Sequence, residues 1–123
     1  MMKMIEKDLA LIVEDNERLA EIFAEAIRHA EFRPEIVNNG RLAIERLQVI
    51  VPAIILLDMH LPEASGEDVI RAIKADSRLD ETVVFLATAD AVMAESWRNE
   101  VDLVLLKPIS FSQLRDLAKR LHM

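Results

Sequence analysis

Residues 53–58 read Ala53-Ile54-Ile55-Leu56-Leu57-Asp58, an apolar run closed by a single carboxylate. Apolar and polar residues do not alternate within the run, so neither face of a strand formed here suits contact with water. Strands that are buried on both faces are typical of parallel sheets covered by helices on each side. The stretch therefore predicts a fully buried strand of a parallel sheet.

Similar apolar runs recur along the chain, and each is followed by a helical pattern. The predicted strands are residues 9–13, 35–37, 53–57, 82–87 and 103–106. Spacings of three and four between apolar residues give each intervening segment one buried helical face. The residues on these faces are Leu19, Ile22, Phe23, Ala26, Ile27 and Ala30; Ala43, Leu47 and Ile50; Val69, Ile70 and Ile73; Met93 and Trp97; and Leu114, Leu117, Ala118 and Leu121.

Local signals mark several ends of these helices. Pro52 is predicted to end the second helix, and the fourth is predicted over residues 90–99. Ser65 with Asp68, and Ser110 with Gln113, have the spacing of capping boxes that open the third and fifth helices.

Five strand–helix units in strict alternation predict an α/β fold. Five strands are too few to close an eight-stranded barrel, so a doubly wound open parallel sheet remains. The flavodoxin-like strand order 2-1-3-4-5 suits this number of strands. We expect residues 1–123 to form one domain.

Composition excludes several classes of function. The chain has no cysteine, which removes disulfides, thiolate zinc sites and cysteine nucleophiles. Two glycines are too few for a Walker or dinucleotide-binding loop. A net charge of −7 argues against direct binding to nucleic acid, and the longest uncharged run, residues 47–57, is too short to span a membrane. We expect a soluble, cytoplasmic protein without membrane insertion.

Polar residues follow four of the predicted strands: Glu14 and Asp15, Asp58, Thr88, and Lys107. Ligands of open parallel sheets bind beyond these strand ends, so the side chains should meet there. Clustered carboxylates need a cation, and oxygen-only ligands favour Mg²⁺. An aspartate beside such an ion can attack phosphorus to form an aspartyl phosphate. Taken singly, the acidic pair could instead be a helix N-cap and Asp58 a turn residue.

These motifs resemble the receiver domain of two-component response regulators, similar to chemotaxis regulators, over essentially the whole chain. The matching segments are Leu11–Asn16, Leu56–Pro62, Gly66, Ala87–Ala89 and Leu106–Pro108. The resemblance implies that Asp58 is the phosphoacceptor. It also implies that Thr88 is the switch hydroxyl and Lys107 the phosphate-binding amine, with a cis Lys107-Pro108 bond.

The resemblance further implies a Mg²⁺ site made of Glu14, Asp15, Asp58 and the backbone carbonyl of His60. Three features depart from the family pattern. Val104 stands where Tyr or Phe is usual, and Glu14 stands where Asp is commoner. Glu100-Val101 stands where a small Gly-Ala pair is usual before the fifth strand. The first departure leaves open whether the family's threonine–aromatic switch operates in this chain.

The expected function is that of a phosphorelay receiver and not of a metabolic enzyme, with at most self-phosphorylation from donors and autodephosphorylation. The expected partners are a sensor histidine kinase or histidine phosphotransfer protein and a downstream protein target, with a homodimer possible. Two alternatives stay open. One is a pseudo-receiver that signals without phosphate. The other is a Mg²⁺-dependent aspartyl-phosphate hydrolase, although such enzymes usually carry a second Asp where this chain has His60.

Overall fold

The computed structural model describes residues 4–122, which form a sheet of parallel strands joined by helices. The elements are β1 (Glu6–Val13), α1 (Glu17–His29), β2 (Arg33–Val37), α2 (Gly40–Leu47), β3 (Pro52–Asp58), α3 (Gly66–Lys74), β4 (Val83–Thr88), α4 (Ala91–Trp97), β5 (Leu103–Leu106) and α5 (Phe111–Lys119). Short 3₁₀ turns lie at Ser77–Leu79 and Arg120–His122. Within the described residues, no helix combines the length and apolar character needed to cross a membrane.

The strand order is β2-β1-β3-β4-β5, and all neighbouring strands are parallel. This confirms the predicted α/β fold and its flavodoxin-like order. The register brings the carboxyl ends of the strands level, because Val13 lies beside Leu57, and Asp58 lies beside Ala87. The residues that follow these strands consequently share one edge of the sheet.

Two hydrophobic clusters cover the two faces of the sheet, and β3 contributes to both. Ile55 and Leu57 point into the cluster shared with α2 and α3, while Ile54 and Leu56 point into the cluster shared with α1 and α5. Each of these four side chains is at most 2% exposed. Burial on both faces explains why the sequence of β3 shows no alternation.

Side-chain caps begin the helices near the edge where the strands end. Asn16 caps α1 and Asn39 caps α2, each accepting a hydrogen bond from the amide three residues later. The predicted box of Ser65 and Asp68 is present in full. Ser110 accepts a hydrogen bond from the amide of Gln113, which forms one half of the second predicted box.

Several predicted boundaries were wrong by a few residues. The second helix ends at Leu47, so Ile50 lies beyond it, and Pro52 begins β3 instead of ending a helix. Proline is tolerated at the first residue of a strand, where Pro52 pairs in register with Glu6. The stripe of the last helix ends before Leu121, which lies in the final 3₁₀ turn and is 39% exposed.

Candidate functional site

Backbone hydrogen bonds continue past the strand ends and hold the candidate residues in place. The amide of Glu14 donates to the carbonyl of Val37 at 3.1 Å. The amide of Lys107 donates to the carbonyl of Thr88 at 2.8 Å. Because these bonds prolong the ladder, side chains after different strands are fixed relative to one another.

Three carboxylates meet at this edge. Glu14, Asp15 and Asp58 each offer an oxygen, and these oxygens lie within 4.8 Å of one another. Glu14 and Asp58 are buried, whereas Asp15 is exposed. Like charges at this separation repel strongly in a partly buried site, so the cluster requires cationic compensation. Carboxylate oxygens are the type of ligand that a hard divalent cation such as Mg²⁺ prefers, usually through one or two carboxylates with water completing the site.

Lys107 supplies one positive charge to this cluster. Its Nζ lies 2.7 Å from Glu14 Oε1 and 3.5 Å from Asp58 Oδ1, and its side chain is 19% exposed. The other oxygen of Glu14, Oε2, accepts a hydrogen bond from the amide of Asn16 at 3.2 Å. Both oxygens of Glu14 are therefore engaged by neighbouring donors.

Burial raises the pKa of Glu14 above its usual value, and the nearby charge of Asp58 acts in the same direction. The hydrogen bonds from Lys107 and from the Asn16 amide oppose this rise. Holding two buried carboxylates this close together is therefore unfavourable, and a single lysine offsets only part of that cost.

The backbone that follows Asp58 packs closely around this residue. Its Oδ1 accepts a hydrogen bond from the amide of His60 at 3.2 Å, and the His60 side chain is exposed in the loop that follows β3. A Cβ on Gly66 would lie 2.8 Å from Met59 Cα and 2.9 Å from the carbonyl oxygen of Asp58. Only glycine allows the start of α3 to approach the phosphoacceptor candidate this closely.

Thr88 is the last residue of β4 and is fully buried. Its Oγ1 accepts a hydrogen bond from the amide of Asp90 at 3.1 Å. Asp90 in turn caps α4, because its carboxylate accepts from the amides of Val92 and Met93. The candidate switch hydroxyl is thus joined to the first turn of α4 through one residue.

The structure brings Glu14, Asp15, Asp58 and Lys107 together, with Thr88 on the adjoining strand, and the Lys107-Pro108 bond is cis as expected. Two capping residues of the site, Asn16 and Asp90, were not predicted from the sequence. Asn16, and not the acidic pair before it, caps α1 and also supports Glu14. The preference of Asn and Asp for N-caps was the signal that could have identified Asn16 and Asp90.

The family model of the response regulator receiver domain matches residues 10–119. The chain belongs to this family of two-component signal transduction. Over 118 residues it is 30% identical to the probable methanogenesis regulatory protein FilR2 of Methanothrix harundinacea. This match covers 87% of this chain and 76% of FilR2. It is 32% identical to the regulatory protein LuxO of Vibrio vulnificus, with 85% of this chain and only 23% of LuxO covered.

Solved structures of receiver domains share the fold. The chemotaxis response regulator CheY4 of Vibrio cholerae superposes with a TM-score of 0.83 at 19% identity, covering 97% of this chain and 99% of CheY4. The receiver domain of a sensor histidine kinase from Pseudomonas aeruginosa superposes with a TM-score of 0.80 at 23% identity, covering 94% of this chain and 98% of that domain. That structure contains a magnesium ion coordinated in the active-site cleft.

Proposed function

We propose that this receiver domain accepts a phosphoryl group on Asp58 from a phosphohistidine of a sensor histidine kinase or a histidine phosphotransfer protein. A carboxylate oxygen of Asp58 forms the new P–O bond as the P–N bond breaks, and the departing imidazole takes a proton from water. The position of Asp58, 6% exposed and within 3.5 Å of the Lys107 amine, is the observation that carries this proposal. A buried carboxylate beside a cation suits nucleophilic attack on phosphorus.

Lys107 and Thr88 would bind the transferred group. The Lys107 amine would form a charge-assisted hydrogen bond with a phosphoryl oxygen. Because Thr88 Oγ1 accepts its hydrogen bond from Asp90, its own proton is available to a second phosphoryl oxygen. Together these donors would stabilise negative charge that develops during the transfer.

We further propose that Mg²⁺ binds through Asp15 and Asp58, with Glu14 in support and the backbone carbonyl of His60 as a further ligand. When bound, the ion would neutralise charge on the phosphoryl group. The oxygen-only donor set of the cluster supports this assignment. A domain of the same fold from Pseudomonas aeruginosa holds magnesium in its cleft, which is consistent with it.

The donor protein would approach along an open groove that begins beside Lys107. Leu19 and Phe23 of α1 form one wall of this groove, and Pro108 and Ile109 form the other. Its mostly apolar lining suits a protein surface better than a free metabolite. We propose a downstream protein target in the cytoplasm as the recipient of the signal, and we propose no turnover beyond self-phosphorylation and autodephosphorylation.

A phosphate-independent interaction module is the second candidate function. Val104, half-buried in β5 where the family usually has an aromatic residue, favours it. So does the position of Lys107, which lies nearer to Glu14 than to Asp58.

Intact-mass spectrometry after incubation with a small phosphodonor and Mg²⁺ separates these functions. We expect one phosphoryl group on the wild type and none on Asp58→Asn, while the control Asp80→Asn behaves as wild type. An unmodified wild type would support the interaction module. Continuous turnover of phosphate esters would support a hydrolase instead, and an adduct on Asp58→Asn would overturn the assignment of the nucleophile.

A further inference from the structure

A second groove lies on the other side of α1, away from the apolar groove beside Lys107. It runs between the first half of α1, the end of β2 and the start of α2, and encloses about 490 Å³. This volume lies within the range of binding pockets in proteins. Its lining includes the acidic residues Asp15, Glu17 and Glu21 and the apolar residues Ile36 and Leu42.

One wall of this groove carries negative charge without a counter-ion from the described chain. Asp15, Glu17 and Glu21 are exposed, and none forms an ion pair with a cation within residues 4–122. Many other carboxylates of the surface are paired, as Glu25 is with Arg28 in the same helix. The unpaired carboxylates give the wall a local negative potential.

The floor of the groove is apolar and open to solvent. Ile36 of β2 is 37% exposed, and Leu42 of α2 is half-buried beside it. A metal ion or a simple inorganic cation would gain nothing from such a floor. A side chain that combines an apolar stem with a cationic head matches both surfaces, and lysine and arginine have this character.

We propose that this groove binds a basic segment of a partner protein. The stem of an arginine or lysine would lie over Ile36 and Leu42, and its charged head would lie between Glu17 and Glu21. A second copy of this chain is a poor occupant, because its net charge of −7 would repel an acidic wall. The proposed contacts are with Glu17, Glu21, Ile36 and Leu42, none of which belongs to the proposed phosphorylation and Mg²⁺ site, so this proposal can fail independently of the proposed function.

The test uses the isotope-labelled full chain and a capped peptide with two arginines separated and flanked by alanines. A twin peptide with citrulline in place of each arginine keeps the shape and removes the charge. We expect the arginine peptide to shift the amide signals of Glu17, Glu21, Ile36 and Leu42, with binding that weakens as salt rises. The citrulline peptide should leave them unmoved.

Matched variants separate the groove from long-range attraction. The double variant Glu17→Gln/Glu21→Gln should bind the arginine peptide roughly fivefold more weakly, since exposed ion pairs contribute modestly. The double variant Glu81→Gln/Glu95→Gln has the same net charge and should bind as wild type. Equal binding by both double variants, equal binding of the citrulline peptide, or shifts confined to Lys107 and Ile109 in the other groove would each overturn the proposal.

Discussion

Lys107 Nζ lies 2.7 Å from Glu14 Oε1, closer than its 3.5 Å distance from Asp58 Oδ1. Glu14 follows β1 and Lys107 follows β5, so these two long side chains meet past the ends of β3 and β4. In the unphosphorylated chain, the amine that we propose as the phosphate ligand is therefore held mainly by Glu14. Transfer to Asp58 would draw Lys107 from one carboxylate toward the new phosphoryl group.

Replacing Lys107 should destabilise the fold. Lys107→Met keeps an unbranched side chain but leaves Glu14 and Asp58 without their cation. Removing one partner of a largely buried ion pair typically costs about 3 kcal/mol of unfolding free energy. Urea denaturation in excess chelator should show this loss, while the exposed control Lys119→Met should unfold near the wild-type midpoint. A Lys107→Met protein as stable as wild type would show that the lysine does not compensate the cluster.

Magnesium should stabilise the folded chain through the same cluster. A ligand that binds only the folded state adds about 2.7 kcal/mol at one hundred times its dissociation constant. We expect Mg²⁺ to raise the urea midpoint of the wild type and chelator to reverse the change. Asp15→Asn should abolish most of the increase, whereas Asp80→Asn should retain it. An increase of equal size in Asp15→Asn would place the ion elsewhere.

The loop after β3 stores backbone strain at Glu63. Its φ of 59° lies in the left-handed region, which costs a residue with a Cβ roughly 1 kcal/mol. Its carboxylate lies 3.4 Å from Arg41 Nε in an exposed pair of little energetic value. We expect Glu63→Gly to be more stable than Glu63→Ala by about 1 kcal/mol in urea denaturation. Both variants lose the ion pair, so a difference near zero would mean that the loop carries no strain there.

Glu35 should give stability that depends on pH. The Arg46 guanidinium, with Nε 2.6 Å from Glu35 Oε2, lowers the pKa of Glu35 below its usual 4.5. A carboxyl with a lowered folded-state pKa stabilises the fold above its unfolded-state pKa and loses that contribution as pH falls through the folded value. Solvent screens this pair, since Arg46 is 40% exposed, so we expect Glu35→Gln to lose about 0.5 kcal/mol at pH 7.

The stability lost in Glu35→Gln, measured by urea denaturation at a series of pH values, should become smaller as the pH falls below 4.5. The control Glu81→Gln, which removes an exposed carboxylate that forms no ion pair within residues 4–122, should show no such trend. A difference between Glu35→Gln and wild type that grows in acid would contradict the assigned direction of the pKa shift.

The fold was predictable because a strand that is buried on both faces has a continuous apolar sequence. The run at residues 53–57 has no polar position, and β3 indeed packs against helices on each side. The limits of elements were less predictable because tertiary pairing decides them. Pro52 could end a helix or begin a strand, and only its pairing with Glu6 selects the strand.

The strand ends predicted which residues form the site, but they did not predict which of these side chains pair with one another. Residues that follow parallel strands must share an edge, which brought Asp58 and Lys107 together. The preference of Lys107 for Glu14 depends on side-chain reach across that edge, which spacing along the chain does not encode. The link from Thr88 to Asp90 likewise depends on how the backbone turns after β4.

A phosphoryl group at Asp58 should influence the first turn of α4 but not the rest of that helix. Thr88 reaches the first turn of α4 through Asp90, so movement of the hydroxyl should disturb that turn. Val104 of β5 has a single χ angle that is stiffened by branching, and it is too short to move between buried and exposed positions. A conformational equilibrium shifts only when some group makes different contacts in its two states, and Val104 cannot make such different contacts.

We therefore expect the phosphate mimic beryllium fluoride, added with Mg²⁺, to shift amide signals over residues 90–93 and to leave Trp97 and residues 103–106 nearly unchanged. Thr88→Val, which lacks the hydroxyl, should lose the response at residues 90–93. Val104→Tyr, which restores a ring, should extend the response into β5 and the end of α4. Large cooperative shifts across Trp97 and β5 in the wild type would show that this chain transmits its signal without an aromatic residue at position 104.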